Sequence, residues 1–279
     1  MRTKLFNYEV DTNLNKDYEI VILSDVHYYS KKNKKKLDRM LEKVKTLNPD
    51  FICMPGDTID QHDIYDEEIL LDWLKELGKL SKVIISIGNH EYIVDFSDYN
   101  RELFSKINSI DNVYVLDNDS VSFGNLSFLG ITLPGSYYHK YNDTDDKKTV
   151  DYINKTIKYK KNKYNILLYH SPIDIYKKEI INNLDIKDSL DLILCGHMHG
   201  GITPNVMKPL FKGKGIFRPD GRLFANMCYG YYDNLGVKCI ISSGVTKSSH
   251  TNHFEKMDFL MAPEVTVVKL VSKSVKKAQ

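Results

Sequence analysis

Two histidines, His197 and His199, lie one residue apart in the stretch LCGHMHGG, which covers residues 194–201. They follow the apolar run DLIL and are flanked by glycines, so the backbone can turn tightly where the two imidazoles emerge. Neutral imidazole is the commonest metal ligand among side chains, and the pattern is typical of a metal site at a strand end. A polar loop that contains two histidines explains the same residues, so the rest of the chain must decide.

Ligand-type residues also end four other apolar runs of the chain. They are Asp25 and His27 after EIVILS, Asp57 after FICMP, Asn89 and His90 after VIISI, and His170 after NILLY. If the runs are strands of an open α/β sheet, these residues fall at the carboxyl ends, where such sheets bind their ligands. Five runs that all finish this way favour a metal or catalytic site over a solvated loop.

The donors are oxygen and nitrogen atoms without a cysteine thiolate, which favours first-row divalent ions such as Mn²⁺, Fe²⁺ or Zn²⁺. Seven donors are too many for one tetrahedral ion and suit two; they are Asp25, His27, Asp57, Asn89, His170, His197 and His199. Two ions about 3.5–4 Å apart can clamp a phosphoryl oxygen and generate hydroxide between them. One carboxylate must then bridge the ions, and Asp57 at a glycine turn is the best candidate.

Strand-like and helix-like segments alternate along most of the chain. We predict strands at 18–24, 51–54, 82–87, 112–116, 120–123, 126–132, 163–170, 191–195, 237–244 and 264–271. Amphipathic patterns predict helices at 34–47, 67–80, 98–108, 148–160 and 173–183. A Gly-Asn pair at 124–125 predicts a tight turn between two consecutive strands.

This order of elements indicates the fold class. Apolar strands that alternate with helices predict a sheet covered by helices on the outside. The late strands, which no helix separates, suggest a second sheet. We therefore predict an α/β fold, a four-layer αββα sandwich with the metal site at the carboxyl ends of the strands. Without a repeat or a low-complexity linker, residues 1–279 are predicted to form one domain.

The composition, with 42% hydrophobic and 27% charged residues, is that of a soluble globular protein. A net charge of +2 from 39 basic and 37 acidic residues argues against a nucleic-acid partner. The four cysteines form no C-x-x-C pair, and two of them, Cys53 and Cys195, lie in apolar strand-like runs, which suits buried free thiols in a reducing cytosol. With neither a leader nor a membrane-spanning run in the sequence, we expect a cytoplasmic protein. Peripheral membrane contact through the lysine clusters at 31–36, 159–163 and 273–279 stays open.

The series D-x-H, G-D, G-N-H-E, H and G-H-x-H, in this order over residues 25–199, resembles the calcineurin-like metallophosphoesterase superfamily. All five blocks are present without a substituted ligand. The later stretch GKGIFRPDGRLFANMCYGYY, with ISSG, resembles more loosely the bacterial membrane-associated phosphoesterases and UDP-2,3-diacylglucosamine pyrophosphatases. The chain departs from that branch near residues 245–258, and its first residues show neither a twin-arginine signal nor a hydrophobic anchor.

The superfamily resemblance implies a role for each ligand-type residue. Asp25, His27, Asp57 and His199 are expected to hold one ion, and Asp57, Asn89, His170 and His197 the other. His90 is expected to donate a proton to the leaving oxygen, or to stabilise the charge there, and not to bind metal. Orientation of Asn89 is its alternative role.

Other polar residues are weaker candidates. Glu91 could hold His90, but a place at the start of a helix is the simpler interpretation. Asp60 and His62 could line the cleft, His139 could lie in a lid, and Arg218 and Arg222 could clamp a second phosphate. A polar, solvated loop is simpler for Asp60, His62 and His139, and salt bridges on a turn are simpler for Arg218 and Arg222. Trp73 is placed in the core.

Together, the residues and the resemblance predict a metallophosphoesterase that uses two divalent ions, with Mn²⁺ as the first choice. A metal-bridged hydroxide would attack a phosphodiester or pyrophosphate bond in a nucleotide-linked or lipid-linked small molecule. A phosphomonoesterase or a cyclic-nucleotide phosphodiesterase is the enzymatic alternative. A non-catalytic scaffold would be expected to have lost ligands, and a nuclease would be expected to carry a basic stripe.

Overall fold

The computed structural model describes residues 3–60, 66–92, 98–134, 146–204, 206–217, 223–246 and 263–273. The candidate residues His62, His139, Arg218 and Arg222 lie outside the described residues. Within them, the model contains two six-stranded sheets and a set of helices that covers their outer faces.

The first sheet contains β1 (Lys4–Thr12), β2 (Tyr18–Ile22), β3 (Phe51–Pro55), β4 (Lys82–Ser86), β5 (Val113–Leu116) and β12 (Glu264–Ser272). Its strand order is β1-β12-β2-β3-β4-β5, and only the β12–β2 pair is antiparallel. The parallel run β2-β3-β4 brings three carboxyl ends to one edge of the sheet.

The second sheet contains β6 (Asp119–Phe123), β7 (Leu126–Gly130), β8 (Tyr164–Leu168), β9 (Leu190–Cys195), β10 (Gly230–Tyr232) and β11 (Lys238–Ile241). Its order is β10-β11-β9-β8-β7-β6, with antiparallel pairs at both ends and parallel strands between them. The predicted Gly-Asn turn joins β6 to β7, and Gly124 takes the left-handed φ of +55° that this turn needs.

The described helices are α1 (Lys34–Leu47), α2 (Glu67–Leu80), α3 (Asn89–Tyr92), α4 (Asp98–Asn108), α5 (Asp146–Thr156), α6 (Pro172–Ile175), α7 (Lys178–Ile181) and α8 (Lys208–Phe211). Helix α1 buries Leu37, Met40 and Val44, which are spaced by three and four residues. Helix α2 buries Trp73, as predicted, and the indole Nε1 donates to the Leu37 carbonyl at 2.9 Å.

Three apolar layers separate the four layers of backbone. One layer packs α1, α2 and α4 against the first sheet, with Trp73 and Phe104 among its buried side chains. The middle layer lies between the sheets and includes Phe51 and Phe128. The third packs α5, α6 and α7 against the second sheet. The predicted α/β class and αββα sandwich are therefore confirmed. Cys53 and Cys195 are buried free thiols as expected, and so are Cys228 and Cys239.

The structure corrects three details of the predicted elements. Strands β1 and β10 were not predicted, because β1 is a largely exposed edge strand and β10 spans only three residues. Strand β12 joins the first sheet rather than the second, since pairing partners far apart in sequence leave no local signal. The helix predicted at 173–183 is two short helices, because Lys177 between them is extended.

Candidate metal centre

Five strands from both sheets deliver the predicted ligands to one place. In the first sheet, β2 leads to Asp25 and His27, β3 to Asp57, and β4 to Asn89 and His90. In the second sheet, β8 leads to His170, and β9 leads to His197 and His199. The two sheets are joined here by a backbone bond from the Val245 N–H, after β11, to the Ser24 carbonyl, after β2, and within the second sheet the Gly196 N–H donates to the His170 carbonyl.

The ligand atoms form three overlapping groups, in each of which they lie within 4.8 Å of one another. One group is Asp25, His27 and His199, and a second is Asp57, His170 and His197. The third, His27, Asp57 and His90, shares two members with the other groups. These buried groups of histidine and aspartate form a dimetal-type site.

Two of the histidines are oriented by backbone carbonyls that can only accept a hydrogen bond. The Nδ1 of His170 donates to the Pro55 carbonyl at 2.8 Å, and the Nδ1 of His199 donates to the Thr246 carbonyl at 2.9 Å. Each ring therefore presents Nε2 to the site, as metal-binding histidines commonly do.

Asp57 lies between the two main groups. Its Oδ2 is 3.0 Å from Nε2 of His170 and 3.7 Å from Nε2 of His27. Its Oδ1 accepts a hydrogen bond from the His90 backbone N–H at 3.0 Å, which fixes the rotation of the carboxylate. A carboxylate placed in this way can contact ions in both groups.

Several buried polar atoms of the site have no hydrogen-bond partner. They are Oδ2 of Asp25, both ring nitrogens of His27, and Oδ1 of Asn89. Burial of such atoms without a partner is costly, and native proteins normally avoid it. Oδ2 of Asp25, Oδ1 of Asn89 and the unprotonated ring nitrogen of neutral His27 carry lone pairs that divalent cations would satisfy, so the residues present fit a two-metal centre.

The charges of the site shift its pKa values in opposite directions. Burial, followed by the nearby His90, lowers the pKa of His27 to about 4. Burial also disfavours the charged form of His170, but the Asp57 carboxylate outweighs it and raises the pKa to about 9. Burial alone would raise the pKa of Asp57; His170 and His90 hold it well below its usual range. Without metal, therefore, His27 is neutral and the His170–Asp57 pair is ionic.

Asp60 corrects the expectation of a solvated polar loop. Its side chain is buried, and Oδ1 accepts a hydrogen bond from Nδ1 of His90 at 2.9 Å. Burial disfavours the charged imidazole, but Asp57 and Asp60 together raise the pKa of His90. Asp60 is brought under His90 because the backbone continues beyond β3 and pairs Ile59 with Tyr28. The spacing G-D-x-x-D was the available signal in the sequence.

Glu91 lies in the first turn of α3, as predicted, and its carboxylate is buried. Its oxygens accept hydrogen bonds from the backbone N–H groups of Asp57, Thr58, Ile59 and Gly88 at 2.6–3.1 Å. The carboxylate thereby shapes the loop that carries Asp57. Burial and the charge of Asp57 raise its pKa to about 7. The place at a helix start is thus confirmed, since the Gly88 N–H directly precedes α3, and the bonds to the loop of Asp57 are an additional role that the sequence did not reveal.

The backbone of the site is unusual at the ligands themselves. A left-handed φ between +45° and +68° occurs at Asp25, His27, Asp57, His197 and His199. Residues with a β-carbon seldom adopt this conformation, and such strain concentrates at functional sites. The glycines that follow have a packing role: a β-carbon on Gly201 would lie 2.2 Å from the Gly215 Cα.

Comparison with known proteins agrees with this arrangement. A family model for calcineurin-like phosphoesterases matches residues 18–201, which is well over half of the chain. The chain therefore belongs to the calcineurin-like phosphoesterase family.

Among its relatives is an uncharacterized metallophosphoesterase of Campylobacter jejuni, 28% identical over 190 residues, which make up 68% of this chain and 46% of that protein. Another, from Helicobacter pylori, is 30% identical over 192 residues, with 67% and 46% covered. A Bos taurus transmembrane protein with a metallophosphoesterase domain is 26% identical over 214 residues, with 70% and 44% covered. The chain thus spans less than half the length of these curated relatives.

A crystal structure of a dimetal phosphatase from Danio rerio can also be superposed on the chain. The TM-score is 0.44 at 12% identity, over 81% of this chain and 87% of that one.

Proposed function

We propose that the protein is a metal-dependent phosphohydrolase that uses two divalent ions. The observation that carries this proposal is the pair of buried His/Asp groups on either side of one carboxylate, Asp57. Membership of the calcineurin-like phosphoesterase family supports it.

In this proposal Asp25, His27, Asp57 and His199 hold one ion, and Asp57, Asn89, His170 and His197 hold the other. Mn²⁺ is our first choice, with Fe²⁺ and Zn²⁺ as alternatives, because the donors are nitrogen and oxygen atoms. When bound, the ions would neutralise phosphoryl oxygens and lower the pKa of water so that it can attack phosphorus.

We assign to His90 the protonation of the leaving group. Asp60 holds its Nδ1 at 2.9 Å and favours the protonated ring, so that Nε2 can give a proton to the leaving oxygen. The ring also lies near His27 and Asp57, so His90 could itself bind a metal ion. The number of ions bound by a variant that lacks His90 distinguishes a general acid from a metal ligand at this position.

A test of the bridging carboxylate is Asp57→Asn. An amide oxygen is a weaker ligand than a carboxylate, so the variant should bind both ions at least tenfold more weakly in a Mn²⁺ titration. A loss at one site with normal affinity at the other would contradict the bridge. His170→Gln is the matched control, because it should weaken a single ion.

For the substrate, we propose a phosphodiester or pyrophosphate bond in a nucleotide-linked or lipid-linked small molecule. The support is the looser resemblance of residues 213–232 to the diacylglucosamine pyrophosphatase branch. Part of that stretch packs on the loop of His197 and His199, since the Phe217 N–H donates to the Gly201 carbonyl at 3.0 Å. A phosphomonoester or a cyclic nucleotide is the alternative.

We further propose that the protein is cytoplasmic, because its cysteines are free thiols, and that it has no nucleic-acid partner, because its net charge is close to zero.

The deciding experiment compares bis-p-nitrophenyl phosphate with p-nitrophenyl phosphate as substrates of EDTA-stripped protein reloaded with Mn²⁺. Diester hydrolysis that depends on metal supports the proposal. A preference for the monoester would replace the diester assignment by a phosphatase. If the protein hydrolyses neither substrate and binds no metal, the hydrolase proposal is refuted and a non-catalytic scaffold is favoured.

A further inference from the structure

Exposed apolar side chains are concentrated in one segment near the metal centre. In the described part of the chain, the five exposed large hydrophobic residues all lie between positions 206 and 231. Val206 is 82% exposed, Leu210 80%, Leu223 57%, Phe224 65% and Tyr231 37%. Single exposed apolar residues need no explanation, but a concentration in one segment marks an interaction surface.

The segment is a hairpin closed by nested hydrogen bonds. The Tyr229 hydroxyl donates to the Lys208 carbonyl at 2.7 Å, and the Cys228 N–H donates to the Gly213 carbonyl at 2.8 Å. Nearer the tip, the Phe224 N–H donates to the Ile216 carbonyl at 3.0 Å. We call the described residues 206–217 and 223–229 the apolar hairpin. Leu210, Leu223 and Phe224 thus belong to one folded unit.

The apolar hairpin packs directly on the loop of residues 197–201, which carries His197 and His199. The Phe217 N–H binds the Gly201 carbonyl, and the backbones meet so closely that a β-carbon on Gly215 would lie 2.4 Å from the Gly201 Cα. Gly201 follows His199 by two residues, which is at most about 7 Å of chain. A partner that binds the hairpin is therefore brought next to the metal centre.

The charge of the apolar hairpin favours an anionic partner. Lys212 and Lys214 are exposed beside the apolar side chains. Among the described residues of the hairpin the basic ones are Lys208, Lys212 and Lys214 and none is acidic, and because Lys208 is buried against Glu264 the surface charge is that of Lys212 and Lys214. Leucine and phenylalanine side chains next to lysines are the composition with which peripheral proteins enter anionic lipid surfaces.

We propose that the apolar hairpin docks the protein on an anionic lipid bilayer, with Leu210 and Phe224 inserted among the lipids and Lys212 and Lys214 at the phosphate level. This contact differs from attachment through the lysine clusters at 31–36 and 159–163, because the hydrophobic effect contributes to it as well as charge. It also places the metal centre close to the surface of the bilayer.

The test is vesicle flotation of the metal-free protein, which makes the result independent of hydrolysis. Wild-type protein should float with phosphatidylcholine–phosphatidylglycerol vesicles and less with phosphatidylcholine alone. Leu210→Glu/Phe224→Glu should lower the partition coefficient at least about tenfold, since each side chain loses an apolar burial. The matched control is Asn125→Glu/Asn162→Glu, which adds the same charge at exposed positions before β7 and β8, the opposite edge. Far-UV circular dichroism and Tm verify that both variants fold.

Three outcomes would overturn the proposal. Wild-type protein that does not float, whether monomeric or self-associated in light scattering, would remove the bilayer as the partner, and self-association would assign the hairpin to a second copy of the chain. If the partition coefficient falls equally in the hairpin variant and in the control, the added negative charge alone explains the fall and the apolar side chains play no part. A hairpin variant that floats like wild type would move the contact elsewhere. None of these results depends on whether the reloaded protein hydrolyses bis-p-nitrophenyl phosphate.

Discussion

At the scale of single residues, the candidate site combines four histidines of the ligand set with carboxylates that set their orientation and charge. Asp57 and Asp60 act to raise the pKa of both His90 and the proposed ligand His27, but at His27 burial and the nearby His90 outweigh them. The two rings are 4.4 Å apart, yet the pKa of His27 is lowered and that of His90 is raised. One ring is thus suited to offer a lone pair and the other to offer a proton.

His90→Ala tests this division of roles. We expect both ions to remain and turnover to fall about 10²–10⁴-fold on an ester with a poor leaving group such as phenol, because a general acid contributes about this much. The loss should be much smaller with p-nitrophenolate, which leaves without a proton. Steady-state kinetics on the two esters and metal analysis measure both effects. If the variant holds only one ion, His90 is a ligand.

The pH dependence of metal binding follows from His170. Its pKa is raised to about 9, so the metal-free protein carries a proton there that an ion must displace. Since the proton is bound at neutral pH and lost as the pH approaches 9, the apparent Mn²⁺ affinity should rise up to about tenfold per pH unit and then level off. A competition titration with a metal indicator at stepped pH measures it. Affinity that is flat from pH 7 to pH 9 would contradict the ion pair.

At the scale of elements, the loop after β3 depends on the short helix after β4. The Glu91 carboxylate accepts four backbone hydrogen bonds, of which three come from residues 57–59. The helix therefore acts as a template for the loop that carries the proposed bridging ligand, which its four-residue length would not suggest.

Glu91→Ala should destabilise the protein by about 3 kcal/mol or more, because four buried N–H groups lose their acceptor. Urea unfolding followed by circular dichroism gives the free energy of unfolding. Glu91→Gln, which keeps one acceptor oxygen, should lose less and is the graded control. Equal, small losses in both variants would mean that water replaces the carboxylate and that the template is dispensable.

At the scale of the whole molecule, the two sheets meet along the middle apolar layer and both contribute ligands at one end of it. Ions bound there would connect β2, β3 and β4 of one sheet with β8 and β9 of the other. Metal binding should therefore stabilise the assembled sandwich rather than a single loop, since the unfolded chain has no such site.

Removal of metal with EDTA should lower the Tm by about 5 °C or more, and Mn²⁺ in excess should restore it. Differential scanning calorimetry of stripped and reloaded protein measures the shift, with Mg²⁺ as the comparison ion because it binds imidazole poorly. The same Tm with and without metal would argue that the ions, if bound, touch only one sheet.

Much of this protein was determined by the sequence alone. The helices at 34–47, 67–80 and 98–108 agree with the structure to the residue, because their apolar spacing is local. The ligand-type residues could be picked out because each follows a buried strand, and the order of their motifs indicated the superfamily. Every predicted ligand lies at the common edge.

Only the tertiary structure decided the rest. Three features join distant parts of the chain. They are the place of β12 in the first sheet, the hydrogen bond from His90 to Asp60, and the use of Glu91 as an acceptor for a loop 32–34 residues away. Sequence patterns report whether a side chain faces the core, but not which partner it meets there. That choice is made when the sheets pack and every buried polar group must find a partner.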